Sequence, residues 1–289
     1  GCGRGPVTTT GVMNTPWLRL AGWLLATLPL FSCSGESAKA GEREPASVLP
    51  TQELNAWMKE AGVPGVSITV INDFEIDWTF ASGVADASSQ RPVTTTTLFQ
   101  AASISKPVMA VASAVLAEQG DLDLDGDVAM FLHSWRVPQR SESASFRITP
   151  RMLLSHTSGL ADGLGFPGYK PSEPLPDTLS ILNGVSPAKT VAIGQSLPPM
   201  SQSRYSGGGS VVMQQLLMDV TGRCFPELMR SSLLKPLGMV MSTYQQPLEE
   251  SLRPSAALAH DAKGERLQEP WMIYPELAAA GLWSTSEEL

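Results

Sequence analysis

Apolar and polar positions change their period along this 289-residue chain, and the changes predict its elements. Leu54 to Ala61 reads as a short amphipathic helix stopped by Gly62. Pro64-Gly65 turns into Val66-Ser67-Ile68-Thr69-Val70-Ile71, an alternating, β-branched run that predicts a strand. Asn72-Asp73 begins a hairpin turn, and Ile76 to Ala85 forms the return strand. From Ser103 to Gln119 the spacing is helical, with Val108, Val111, Ala112, Val115 and Leu116 on one stripe. Pro107 fits only the first turn of that helix, and Gly120 ends it. Further helices are predicted over Thr149 to Ser155 and Phe225 to Leu233. Gly207 to Thr221 starts as a turn over three glycines and becomes a helix stopped by Gly222. Residues 161–200 carry many Pro and Gly and predict a long surface excursion. A strand pair followed by mostly helical sequence predicts an α+β fold: an antiparallel sheet with flanking helices plus a large helical region.

The two ends read differently. Met13 precedes a weakly basic stretch and an apolar run from Leu20 to Phe31 that ends at Ser32-Cys33. That order predicts a secretory signal, and the run is short for a membrane span. Leu30-Phe31-Ser32-Cys33 resembles a bacterial lipobox, with Ala38-Lys39-Ala40 as an alternative cleavage site. Residues 34–48 read as a polar tether, so the folded domain is expected over 49–289. At the other end, Ser284 or Thr285 followed by Glu287 and Glu288 predicts a helix N-terminus. The expectation is therefore a C-terminally truncated piece of a longer protein.

Twenty basic against 28 acidic residues give a net charge of −8. Arg4 and Arg19 are the only charges up to Cys33, so the remainder is more acidic still. Such a balance without basic clusters argues against nucleic acid. Cys2, Cys33 and Cys224 show no zinc-ribbon spacing, and His133, His156 and His260 are not spaced as metal ligands on one helix face. Asp121 to Gly126 opens like a calcium loop, but Leu132 stands where that loop needs a bidentate Glu. Gly163 to Gly168 matches G-x-G-x-x-G without a preceding strand, which removes its nucleotide-binding meaning. His156 stands near Ser155 and Ser158, but G-x-S-x-G is absent.

The tetrad Ser103-Ile104-Ser105-Lys106 carries more weight. Serine and lysine three apart at a helix start share one face, within hydrogen-bond reach. A serine hydroxyl is a poor nucleophile until a base takes its proton, and a neighbouring amine can be that base. The helix N-terminus favours negative charge developing beside the serine.

Leu98 to Pro107 resembles the first motif of the class C β-lactamase-related serine hydrolases, the family of β-lactamases, penicillin-binding proteins and family VIII esterases. The resemblance continues at Gly120 to Asp125, Ile148 to Leu160, Arg204 to Gly209, Leu234 to Met239 and Ala280 to Thr285, in family order. It implies a β-lactamase/transpeptidase-like fold, Ser103 as nucleophile, and Lys106 and Tyr205 as proton-transfer partners. The family's Y-x-N is Tyr205-Ser206-Gly207 here, so the side-chain amide is missing at Gly207. The third motif, K-T-G or H-x-G, belongs after the Ala280 to Thr285 block. Lys39-Ala40-Gly41 has the letters but lies in the tether, so the motif, its strand and one oxyanion donor are expected beyond Leu289, leaving this fragment nearly inactive.

The resemblance implies hydrolysis of an ester or amide, including a β-lactam or a D-amino-acid peptide, through an acyl-enzyme. It implies a small-molecule or peptide substrate, no cofactor, no metal and no nucleic acid. A lipid on Cys33 would tether the protein, placing it in the periplasm or anchored in the bacterial envelope. The alternative is a non-catalytic penicillin-recognising or envelope-binding protein.

Overall fold

A computed structural model describes residues 51–138, 146–161 and 165–289. The apolar run at 20–31, Cys33 and Lys39-Ala40-Gly41 lie outside the described residues. The chain enters through helix α1 (Thr51–Glu60) and the hairpin β1 (Gly65–Asn72) and β2 (Glu75–Asp86), paired antiparallel from Gly65↔Gly83 to Asn72↔Glu75. Asp73 and Phe74 make the turn with φ of 50° and 65°, the left-handed pair that matches a two-residue loop to strand twist. β2 also pairs with β3 (Arg91–Pro92), completing a three-stranded antiparallel sheet. A two-residue strand, β4 (Phe99–Gln100), then leads through a 3₁₀ turn (Ala102–Ile104) into α2 (Ser105–Glu118).

The helical region follows. Helix α3 (Pro150–Leu154) begins with Thr149 as cap, its hydroxyl accepting from the Met152 N–H, and with Pro150 at its first position. After β5 (Leu160–Ala161) come α4 (Thr178–Asn183), β6 (Gly194–Gln195), α5 (Gly207–Thr221) and α6 (Phe225–Met229), which runs on as a π-helical turn (Arg230–Leu234). A final short helix, α7 (Leu277–Ala280), precedes β7 (Trp283–Ser284). β5 pairs with β6, and β4 with β7. Gly159 precedes β5 with φ 75°, and a Cβ there would stand 2.1 Å from the Leu197 carbonyl oxygen, so this corner requires glycine.

Helix α5 is the axis of the core. Its buried run from Gly207 to Leu217 is surrounded on all sides, packing with Met109, Ala112 and Leu116 of α2, Leu153, Ile181, Phe225 and Ala278. Even its two buried glutamines are satisfied: Gln215 Nε2 donates to Ser134 and Asp219, and Gln214 reaches across to α7. A smaller cluster of Leu98, Leu248, Ala256, Trp271 and Trp283 sits behind β4, with the two indoles edge-on at 5.3 Å.

Three expectations need correction. Residues 165–200 are not only a surface excursion: Tyr169, Ile181, Leu182 and Ile193 are buried, on segments that include α4 and β6. Gly207, Gly208 and Gly209 are helical rather than a turn, because Ser206 caps them by accepting from the Gly209 N–H, and their lack of side chains suits a buried first turn. Ser284 lies in β7, not at a helix start, since pairing with Phe99 captures it; Thr285 Oγ1 does accept from the Glu288 N–H, but the residues after it form a turn.

Candidate active site

Ser103, Lys106 and Tyr205, named from the sequence, come together at one oxygen. Lys106 Nζ donates to Ser103 Oγ at 3.0 Å, and the Tyr205 hydroxyl donates to the same Oγ at 2.8 Å. Ser103 stands in the 3₁₀ turn just ahead of α2 and Lys106 in the first turn of α2, so the S-x-x-K spacing puts the hydroxyl and the amine on one face. Lys106 is 9 % exposed and Tyr205 58 %, so the site is buried below and open above.

The serine's backbone is held tightly. Ala102 has φ 46°, a left-handed conformation that costs a non-glycine residue about 1 to 3 kcal/mol and persists only where neighbours impose it. Those neighbours are visible. Ala101 N–H donates to the Leu282 carbonyl at 2.9 Å, continuing the β4–β7 ladder. Ser105 is fully buried; its hydroxyl donates to the Ala102 carbonyl at 2.5 Å and accepts from the Leu282 N–H at 3.0 Å. Tyr244, buried, donates to the Ser105 carbonyl at 2.6 Å, and burial pushes its hydroxyl pKa well up, so it stays a donor. One turn of chain is thus tied to β7 and to the core.

Lys106 is fixed by a partner that sequence reasoning missed. Its ammonium also donates to the Ala279 carbonyl of α7 at 2.7 Å. Among the described residues no carboxylate ion-pairs with it, so its donors serve Ser103 and a backbone oxygen. α7 is in turn set by α5: Gln214 donates to the Pro275 carbonyl and accepts from the Ala278 N–H. Tyr205 immediately precedes the Ser206 cap of α5, so one helix places both Tyr205 and the carbonyl that holds Lys106.

The three residues open into a cleft of about 500 Å³ whose walls include Phe166, Gly207, Tyr274 and Gln100. Gln100 Nε2 donates to the Met272 carbonyl, tying β4 to the wall that carries Tyr274, whose pKa burial raises. Phe166 belongs to the glycine-rich stretch discounted as a nucleotide site; here it lines the cleft. The Asp121–Asp125 turn is elsewhere in use: Asp123 accepts from the Asp125 N–H and Asp125 pairs with Arg151. His133, His156 and His260 belong to separate segments, and among the described residues no group of His, Cys, Asp and Glu could hold a metal ion.

A family model described as Beta-lactamase matches residues 51–289, the stretch that carries all three of these side chains. The chain belongs to the β-lactamase family. Penicillin-binding protein 4 of Amycolatopsis lactamdurans is 28% identical over 209 residues, covering 72% of this chain and 51% of that protein. Esterase EstB of Burkholderia gladioli is 29% identical over 191 residues, covering 63% of this chain and 47% of that protein. The chain therefore spans about half the length of these relatives. Among solved structures, EstCE1, a hydrolase with promiscuous acyltransferase activity, superposes with a TM-score of 0.68 at 21% identity, covering 82% of this chain and 68% of that one. A class C β-lactamase from Rhodobacter sphaeroides gives a TM-score of 0.62 at 21% identity, covering 82% and 62%. These likenesses establish the β-lactamase-type α+β fold.

Proposed function

We propose that this chain carries the nucleophilic half of an exported serine hydrolase that cleaves an ester or amide through an acyl-enzyme on Ser103. The observation that carries the reading is the convergence of Lys106 Nζ and the Tyr205 hydroxyl on Ser103 Oγ. As Oγ attacks the substrate carbonyl, its proton passes to whichever partner is in its basic form, and the carbonyl oxygen takes up negative charge. The Ser103 N–H, at a helix start where the first backbone donors have no intrahelical acceptor, would donate to that oxygen. Collapse breaks the bond to the leaving alcohol or amine, which takes a proton from Tyr205 or Lys106. Water then adds to the acyl carbon by the reverse relay, the C–Oγ bond breaks, and Ser103 regains its proton. No metal or organic cofactor enters these steps. The substrate is a small molecule or peptide; the names of the relatives point to esters and penicillin-type β-lactams as classes to test, and the family resemblance adds D-amino-acid peptides.

A second reading, recognition of penicillin or cell-wall peptides without turnover, is favoured by Gly207 standing where the family has an amide. One experiment separates the two. The full-length protein and its Ser103→Ala variant are assayed for hydrolysis of p-nitrophenyl butyrate and nitrocefin and for labelling by a fluorophosphonate. Turnover and labelling that both vanish in the variant support the enzyme; labelling without turnover supports the binder.

A further inference from the structure

His156 was set aside as a nucleophile-elbow candidate, and the structure gives it different work. It follows α3 with φ 59°, a left-handed conformation that turns both its carbonyl and its ring towards residues 204–206. Its carbonyl oxygen accepts from the Arg204 N–H at 2.8 Å. Its ring Nδ1 accepts from the Ser206 N–H at 3.2 Å. Its ring lies 4.7 Å from the Tyr205 ring, tilted by 40°. One residue therefore pins the backbone on both sides of Tyr205 and packs against the side chain between them. Tyr205 itself lies in an irregular segment, outside any helix or strand, and is more than half exposed. Its contact with Ser103 spans 102 residues of sequence, so its position must come from local supports of this kind.

We propose that His156 is a positioning residue that holds the Tyr205 hydroxyl on Ser103 Oγ, acting through the Ser206 N–H···Nδ1 bond. The inference rests on the role given to Tyr205 above. In that bond the Ser206 N–H is the donor and Nδ1 the acceptor. Placement matters because a shift of about 1 Å in a reacting group can cost about a hundredfold in rate.

The test uses two substitutions that divide what His156 supplies. His156→Phe keeps a ring against Tyr205 and removes the acceptor. His156→Asn loses the ring and puts Oδ1 near the place of Nδ1. Both are made in the full-length protein and measured for kcat and KM on p-nitrophenyl butyrate, alone and combined with Tyr205→Phe, beside the full-length parent. Expected for His156→Phe is a fall in kcat of about ten- to a hundredfold with KM little changed. His156→Asn restores most of that loss. In the Tyr205→Phe background, His156→Phe adds almost nothing, because the group it positions is gone. Parent-like kcat in His156→Phe, or an equal loss with and without the Tyr205 hydroxyl, overturns the proposal. A parent chain that turns over while Tyr205→Phe costs nothing would instead overturn the role of Tyr205.

Discussion

Lys106 Nζ donates to the carbonyl oxygen of Ala279, 2.7 Å away and 173 residues later in the chain. The contact makes the amine a fixed part of the cleft floor rather than a mobile side chain, and it joins α2 to α7 beside the serine. Lys106→Met keeps the length of the side chain and removes its nitrogen. Turnover is expected to fall by about 10² to 10⁴, the range for loss of a positioned proton-transfer group. Steady-state hydrolysis of p-nitrophenyl butyrate by the full-length protein checks this, and a variant within threefold of the parent would remove Lys106 from the relay.

Ser105 makes a separate prediction because it supports the serine without touching the cleft. Its hydroxyl bridges the carbonyl of the strained Ala102, in a part-buried contact, and the buried Leu282 N–H. Ser105→Ala leaves both groups without that partner, a loss on the order of 1 to 3 kcal/mol in stability. Covalent labelling at Ser103 is expected to persist at a lower rate. Urea unfolding and time-resolved labelling read the two effects, and loss of labelling in a folded variant would mean that Ser105 does more than support.

Much of this arrangement is legible in the sequence. Alternation between Val66 and Ile71 gives β1, and the S-x-x-K spacing brings Ser103 to Lys106 because that geometry is local. Tyr205 is reached only through the family resemblance, since nothing local in Arg204-Tyr205-Ser206 requires contact with residue 103. Ala279 is invisible for the same reason: a backbone carbonyl has no sequence signature, and α7 is placed by Gln214 from another helix. The Pro and Gly content of 165–200 hid its buried positions, because turn-forming residues there separate single core residues such as Tyr169 and Ile193 rather than marking solvent. His156 was hidden by its own neighbours: Ser155 and Ser158 suggested a nucleophile, whereas the ring serves a loop 50 residues away.

Glu276 predicts a pH effect on stability. Its side chain is fully buried, both carboxyl oxygens lack a hydrogen-bond partner, and burial pushes its pKa from 4.5 up to about 7. The folded state therefore holds a proton that the unfolded state releases, and stability contributed here falls as pH rises from about 4.5 to 7. The loss amounts to about 3 kcal/mol. Glu276→Gln, which cannot ionise, is expected to match the parent near pH 5 and exceed it at pH 8. Urea denaturation at the two pH values measures the gap, and a gap that narrows with rising pH would contradict this assignment.

The proposed export makes a further prediction about Cys33. If the sulfhydryl receives lipid as the first mature residue, the protein partitions with membranes in a bacterial host, and Cys33→Ala releases it to the soluble fraction. Stable anchoring needs more than one acyl chain, which a bacterial lipoprotein carries. Intact-mass measurement decides: residues 13–32 still attached to the cellular protein would end the proposal.

The central claim is that Ser103 Oγ is the atom that becomes acylated. Its most direct measurement is peptide mapping by mass spectrometry after reaction with a fluorophosphonate or a penicillin. The account predicts a single adduct on Ser103, absent from Ser103→Ala and retained in Ser105→Ala. An adduct on any other serine, Ser105, Ser155 and Ser158 included, would contradict it.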